Sequence, residues 1–163
     1  MCFDHVMVSR RSLVAMAGAF VAAPAFANEC PADKALKTPR KVEKVTDASK
    51  LTAEVVQHVD PTGWRGMKGL MLRTRMLTIL PGGFVPTHSH EDRPAIIFIV
   101  SGELVEHSSL CSEPIVHKAG DSIAEFGPGL EHWWENVGTV PCVLTSSDLV
   151  PIEMMADRMM QMP

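Results

Sequence analysis

The sequence predicts an all-β domain, a sandwich or barrel, and three observations carry that prediction. From Leu51 onward, short apolar or alternating runs recur at regular spacing. Gly or Pro stands in the breaks between them, and no internal repeat is visible, so one copy of the domain fills the chain.

The elements follow in order. A first strand, 54–59, stops at Asp60-Pro61-Thr62-Gly63, and a long apolar run, 69–80, stops at Pro81-Gly82-Gly83. The run 95–100 places Ile96, Phe98 and Val100 on one face and Ile97 and Ile99 on the other, the pattern of a strand buried on both sides. Ser101-Gly102 turns it into 103–107, and Ala119-Gly120-Asp121 separates 115–117 from 122–126. Gly127-Pro128-Gly129 precedes 132–135, and Asn136-Val137-Gly138-Thr139 precedes the last strand, 142–150. The barrel is therefore expected over 51–151.

Composition bounds the rest. With 163 residues, 46% hydrophobic and 21% charged, the chain has one ordinary domain's worth of core and is not intrinsically disordered. A formal charge of −4 argues against nucleic-acid binding, which needs a basic surface to neutralise phosphates. No apolar run reaches the roughly 18 residues that span a bilayer, so no membrane span is expected.

The first 27 residues read as an export signal. Arg10 and Arg11 stand directly before an Ala-rich apolar run that ends in Ala25-Phe26-Ala27, a small-x-small exit. The stretch Ser9-Arg10-Arg11-Ser12-Leu13 resembles the twin-arginine signal, whose pathway carries folded proteins; an ordinary secretory signal is the alternative. The expected mature chain begins near Asn28 and is periplasmic or secreted. Residues 28–50 are polar, Lys-rich and Pro-punctuated, a leader expected to lie along the domain. In an oxidising compartment one disulfide is expected among Cys30, Cys111 and Cys142, the pairing left open. The tail, 152–163, is Met-rich: either a short helix packing thioethers onto the barrel, or a soft-ligand site for Cu(I).

Chemistry is concentrated in histidines. His88-Ser89-His90 is an i, i+2 pair at a strand start, so both imidazoles project from one face. His132 opens another strand that a closed sheet can bring alongside. Three neutral imidazoles converging inside a barrel make a site for one divalent transition metal (Fe, Mn, Ni, Cu or Zn) with positions open for water or substrate. His107 and His117 flank a hairpin and suggest either a second metal site or cross-strand surface pairing. His58 carries no signal.

These residues also carry a resemblance. Gly82-x5-His88-x-His90 followed by Gly102 resembles the first motif of the cupin superfamily, and Gly120-Asp121 followed by Gly129-x2-His132-x3-Asn136 is similar to its second. The resemblance implies a double-stranded β-helix (jelly-roll) barrel, with His88, His90 and His132 as metal ligands and a homodimer as its common assembly. The family's first motif normally adds a glutamate four or five residues after the second histidine; Pro94 and Ala95 stand there instead. A three-histidine site is therefore expected, with Glu106 and Glu125 as the residues able to bring a carboxylate from another strand.

Around the metal, alternation sends Trp134 inward with His132, to stack a planar ligand or simply to pack. Arg93, in the loop after the histidine pair, is placed to hold a substrate carboxylate, or else is a solvated loop charge. The expected function is an exported metal-binding single-domain cupin, most plausibly a non-haem metal-dependent oxygenase of a small organic molecule, with isomerase and lyase chemistry open to the same site. The alternative is a noncatalytic barrel for storage, sensing or carbohydrate binding. A barrel without metal is the plainer reading of the same histidines.

Overall fold

In the computed structural model, residues 29–155 are described; the expected signal, 1–27, and the tail beyond Met155 lie outside them. The strands are β1 (Ser49–Val59), β2 (Leu70–Ser89), β3 (Ala95–Ser101), β4 (Glu103–Ser108), β5 (Ile115–Lys118), β6 (Ser122–Glu125), β7 (Glu131–Glu135) and β8 (Cys142–Pro151). They form one antiparallel sheet in the order β5-β4-β7-β2-β8-β3-β6, with β1 also paired to β2. The sheet curls so that its inner face becomes the core, the half-barrel of a cupin jelly roll. Among the described residues, no helix is long and apolar enough to cross a membrane.

β2 organises the curl. Its first half, Leu70 to Ile79, pairs with β8, and its second half, Phe84 to Ser89, pairs with β7. The sequence predicts a chain break at Pro81-Gly82-Gly83, but the strand runs through it. The register against β1 jumps from Ser49↔Phe84 to Leu51↔Ile79, so the turn residues are taken up as a bulge. Such a bulge is where a sheet tolerates Pro, which has no N–H to give. Asn136 holds it in place. Its side-chain amide donates to the carbonyls of Ile79 and Val140, both at 2.8 Å, and its backbone exchanges hydrogen bonds with Gly82 and Gly83. Gly83 is required there, because a Cβ would fall 2.7 Å from the Ser49 carbonyl oxygen.

The core is built from the inward alternation of several strands: Leu77 and Ile79 of β2, Ile97 and Ile99 of β3, and Leu144 of β8, closed by Trp134. β3 is not buried on both sides. Ile97 and Ile99 face the core, whereas Ile96, Phe98 and Val100 are exposed on the outer face of the sheet. Apolar side chains on both faces show that a strand tolerates burial, not that a second layer covers it.

The segment before β1 lies along the sheet. Cys30 is disulfide-bonded to Cys111, which leaves Cys142 as a buried free thiol. The Leu36 and Arg40 amides donate to the carbonyls of Leu110 and Ser109, and Val45 and Thr87 bond each other. A cross-link over 81 residues of chain restricts the unfolded state strongly, worth about 4 kcal/mol in the chain-entropy account. At the other end Met155 is buried against Met71 and Val150, which is packing of the predicted kind.

Candidate metal centre

The β2–β7 register places His88 directly opposite His132. His90 follows one residue beyond the end of β2, with its amide donating to the Leu130 carbonyl at 2.9 Å. The three imidazole centroids are 4.6 to 5.1 Å apart. The sequence therefore brings together the three histidines it singles out.

A fourth group joins them. Glu125, at the end of β6, has donor atoms that lie with those of His88, His90 and His132 within 4.8 Å of one another. Of the two acids the sequence singles out as able to bring a carboxylate, Glu125 is the one that stands with the three histidines. β6 alternates Ile123 and Glu125 inward, and β3 carries it over the site by pairing Ala95 with Glu125. The acid missing at Pro94 and Ala95 is supplied across the ladder from Ala95 itself.

Each ring is fixed by its other nitrogen. His88 Nδ1 donates to the Pro86 carbonyl, His90 Nδ1 to the Arg93 carbonyl, and His132 Nδ1 to Glu106 Oε1, each at 2.7 Å. With Nδ1 carrying the proton, every Nε2 keeps its lone pair and all three turn toward Glu125. This is how protein partners orient metal-binding imidazoles. His132 Nε2 is buried and accepts no hydrogen bond. A buried polar atom without a partner is costly, and a cation at that point would satisfy it. Three imidazole nitrogens and one carboxylate oxygen suit a divalent first-row ion, so the residues fit the metal that their pattern suggests.

Electrostatics agrees with that role. Burial, reinforced by His132, holds His88 down at about 3, and burial with the Arg93 guanidinium holds His90 at about 4, so both are neutral at pH 7. Burial pushes Glu125 up to about 7 against the pull of His132 and the nearby guanidiniums. Glu106, equally buried, is held at about 2, because hydrogen bonds from His117 and His132 outweigh its desolvation. Burial opposes charge on His132, yet the Glu106 hydrogen bond and the neighbouring carboxylates raise it.

Glu106 is therefore not a fourth ligand. Its two oxygens accept from His132 Nδ1 at 2.7 Å and from His117 Nε2 at 2.8 Å, so it lies behind the site. This also replaces both readings of the His107/His117 pair. His117 is fully buried on the inner face, whereas His107 is on the other, stacked on Trp133 at 3.9 Å and bonded to Glu135. Among the described residues, only one group of potential metal ligands forms.

A cavity of about 280 Å³ opens beside these four side chains. Its walls include Leu51, Leu77, Val85 and Ile97, and both predicted pocket residues, Trp134 and Arg93, line it. Trp134 is also stacked on His117 at 4.8 Å, so the indole is held from behind and presents one side to the cavity. Sequence reasoning missed Arg75 and Ser146 here; both project inward from β2 and β8, and the signal was alternation with buried apolar neighbours.

Comparison with known proteins finds a family match over part of the chain and several solved structures of similar fold. Residues 75–148 match the model of the cupin domain, Cupin_2. No curated protein matches the chain. Among solved structures, the Cnp3 cupin domain of Schizosaccharomyces pombe is 10% identical with a TM-score of 0.50, over 70% of this chain and 75% of that one. The protein TT1209 from Thermus thermophilus is 19% identical over 63% and 84%, with a TM-score of 0.48. An oxalate oxidase solved with the substrate analogue glycolate is 21% identical over 69% and 63%, with a TM-score of 0.45. Residues 75–148 are thus similar to a cupin domain, and the all-β fold is that of a jelly roll.

Proposed function

We propose that the chain is an exported metal-binding cupin that holds one divalent transition metal on His88, His90, His132 and Glu125. Its reaction class is oxygenation of a small organic molecule bound in the adjoining cavity. One observation carries the reading: four donor atoms lie within 4.8 Å of one another, with each imidazole proton committed to a separate acceptor. A six-coordinate ion on four side chains keeps two exchangeable positions and supplies Lewis-acid chemistry, with one-electron redox if it is iron or manganese. The protein's own part is to fix the imidazoles, to keep water out with Leu77, Val85 and Ile97, and to present Trp134 and Arg93 to the substrate. Export rests on the Arg-Arg and Ala-Phe-Ala pattern of the N-terminus, and it places the mature chain in the periplasm or outside the cell.

The test is elemental analysis of the natively exported protein beside His132→Ala. One equivalent of metal is expected in the first and none in the second; full occupancy in the variant overturns the ligand set. Oxygen uptake by iron- or manganese-loaded protein with catechols, flavonols, thiols and keto acids then tests the reaction class. Silence across that panel, with metal bound, favours a binding barrel.

A further inference from the structure

The cavity has an uneven charge. Arg75 and Arg93 line it, and behind them a fully buried carboxylate, Asp148 on β8, is approached by three arginines. Arg73 takes it in bidentate fashion, at 2.8 and 3.0 Å. Arg75 and Arg93 reach the same Oδ2 only at 3.4 Å, long for a charge-assisted hydrogen bond, whose usual range is about 2.7–2.9 Å. Arg73 and Asp148 satisfy each other, so the positive charge of Arg93 is only partly offset. Glu125 and the exposed Asp92 are the other acids that act on Arg93, and in the proposed site the charge of Glu125 belongs to the metal.

Arg93 has a second contact that ties it to the ligands. Its Nη2 donates to His90 Nε2 at 3.2 Å, while its own backbone carbonyl accepts from His90 Nδ1. The guanidinium and a metal ion therefore require the same lone pair, and one lone pair serves one partner. A cation on His90 displaces Nη2, and the guanidinium stays tethered to Asp148 through Nη1. With His90 holding an ion, the guanidinium would be left lining the cavity with a donor and a positive charge to satisfy. Leu51, Leu77, Val85, Ile97 and Trp134 make much of the remaining wall apolar, with Arg75 and Ser146 as further polar groups in it. At about 280 Å³ the space lies at the bottom of the roughly 300–1,000 Å³ range of small-molecule sites.

We propose that Arg93 anchors an anion subsite exposed by metal binding, so that the cavity takes a small monocarboxylate with a compact apolar body. This rests on the metal reading above and specifies the substrate class for the same site. Zinc, which is redox-inert, permits binding to be measured without turnover.

The experiment is calorimetric titration of the zinc-loaded full chain with benzoate and with its uncharged isostere benzamide, in wild type and in Arg93→Gln. Wild type is expected to bind benzoate at least about tenfold tighter than benzamide. Arg93→Gln is expected to remove most of that preference, with benzoate losing far more affinity than benzamide, and retained zinc shows that the site is still folded. Zinc-free wild type is expected to show a weaker preference, because Nη2 is then engaged with His90. An undiminished preference in Arg93→Gln means that zinc or Arg75, and not Arg93, selects the carboxylate, and it overturns the subsite. Zinc content is measured in every sample. Failure of the wild type to retain zinc overturns the metal reading and this inference together, whereas retained zinc with indifference to charge overturns this inference alone.

Discussion

The regions behind and in front of His132 are built from the same chemistry and end in opposite states. Behind it Glu106 is 5% exposed and in front Glu125 is 3% exposed, so both are equally withdrawn from water. Yet Glu106 is held at about 2 and Glu125 is pushed up to about 7. The difference lies in what faces each carboxylate. Glu106 receives two imidazole protons, one on each oxygen. Glu125 faces Nε2 atoms of His90 and His132 at 3.0 and 3.5 Å, whose protons are on the far side of each ring. Burial raises both; at Glu106 the two donated N–H bonds overturn it, and at Glu125, which receives none, burial prevails. The same tautomer that makes Glu106 a structural anion turns imidazole lone pairs and a carboxylate toward one another at the front of the site, an arrangement that a cation would satisfy.

The largest effect that tests this contrast is metal binding itself. A divalent ion at about 1,000 times its Kd should raise unfolding stability by about 4 kcal/mol, read from denaturant midpoints with and without chelator. Glu125→Gln should lose most of that gain, because it removes an anionic ligand. Undiminished stabilisation in Glu125→Gln would place the ion elsewhere.

Next in size are the same substitutions without metal, where the two carboxylates should part company. Glu106→Gln leaves either His132 Nδ1 or His117 Nε2 facing an amide N–H in a buried setting, and should cost about 3 kcal/mol. Glu125→Gln removes a buried charge that receives no imidazole proton, so metal-free stability should stay within about 1 kcal/mol of wild type or rise. Equal losses at both positions would show that the two regions are not different in kind.

The pattern of legibility in the sequence follows the same line. His88, His90 and His132 were readable because two share a strand face and the third sits in a motif of fixed spacing. Strand boundaries were readable from Gly and Pro, except at Pro81-Gly82-Gly83, where Asn136 turns a break into a bulge. Glu125, Glu106 and His117 were harder because each lies alone on its strand. Their common signal is a polar residue on the inward alternation of a short apolar strand, as in Ile123–Glu125, Leu104–Glu106 and Ile115–His117. Alternation gives the face of a residue. It does not tell which strand curls over to meet it, and only that decides whether an acid meets N–H bonds or lone pairs.

Asp148 extends the comparison to a third buried carboxylate. Its desolvation is outweighed by the Arg73 hydrogen bonds and the charges of Arg75, Arg73 and Arg93, which hold it below the ordinary carboxylate range. Its depressed folded-state value means that the stabilisation is fully present above the ordinary value, near 4, and is lost as pH falls through the folded value. Acid unfolding of wild type should therefore show a loss of stability below about pH 4 that Asp148→Asn does not show. A variant with the same acid limb as wild type would remove Asp148 from the set of donor-satisfied carboxylates.

The smallest effect probes how Glu106 and the cavity are joined. His117 donates to Glu106 and stacks on Trp134 with an interplanar angle of 29°, so the indole that lines the cavity also braces the rear of the site. Trp134→Phe keeps an aromatic ring in the wall but gives up part of that stack and of the buried area, a loss of about 1 kcal/mol. The denaturation midpoint should fall with an unchanged m-value, and metal affinity should move by less than about threefold, since His132 keeps its bond to Glu106. A much larger fall in metal affinity than in stability would mean that the His117 position, and not the carboxylate alone, sets the orientation of His132. The boundary between the two regions would then run through Trp134 rather than through His132.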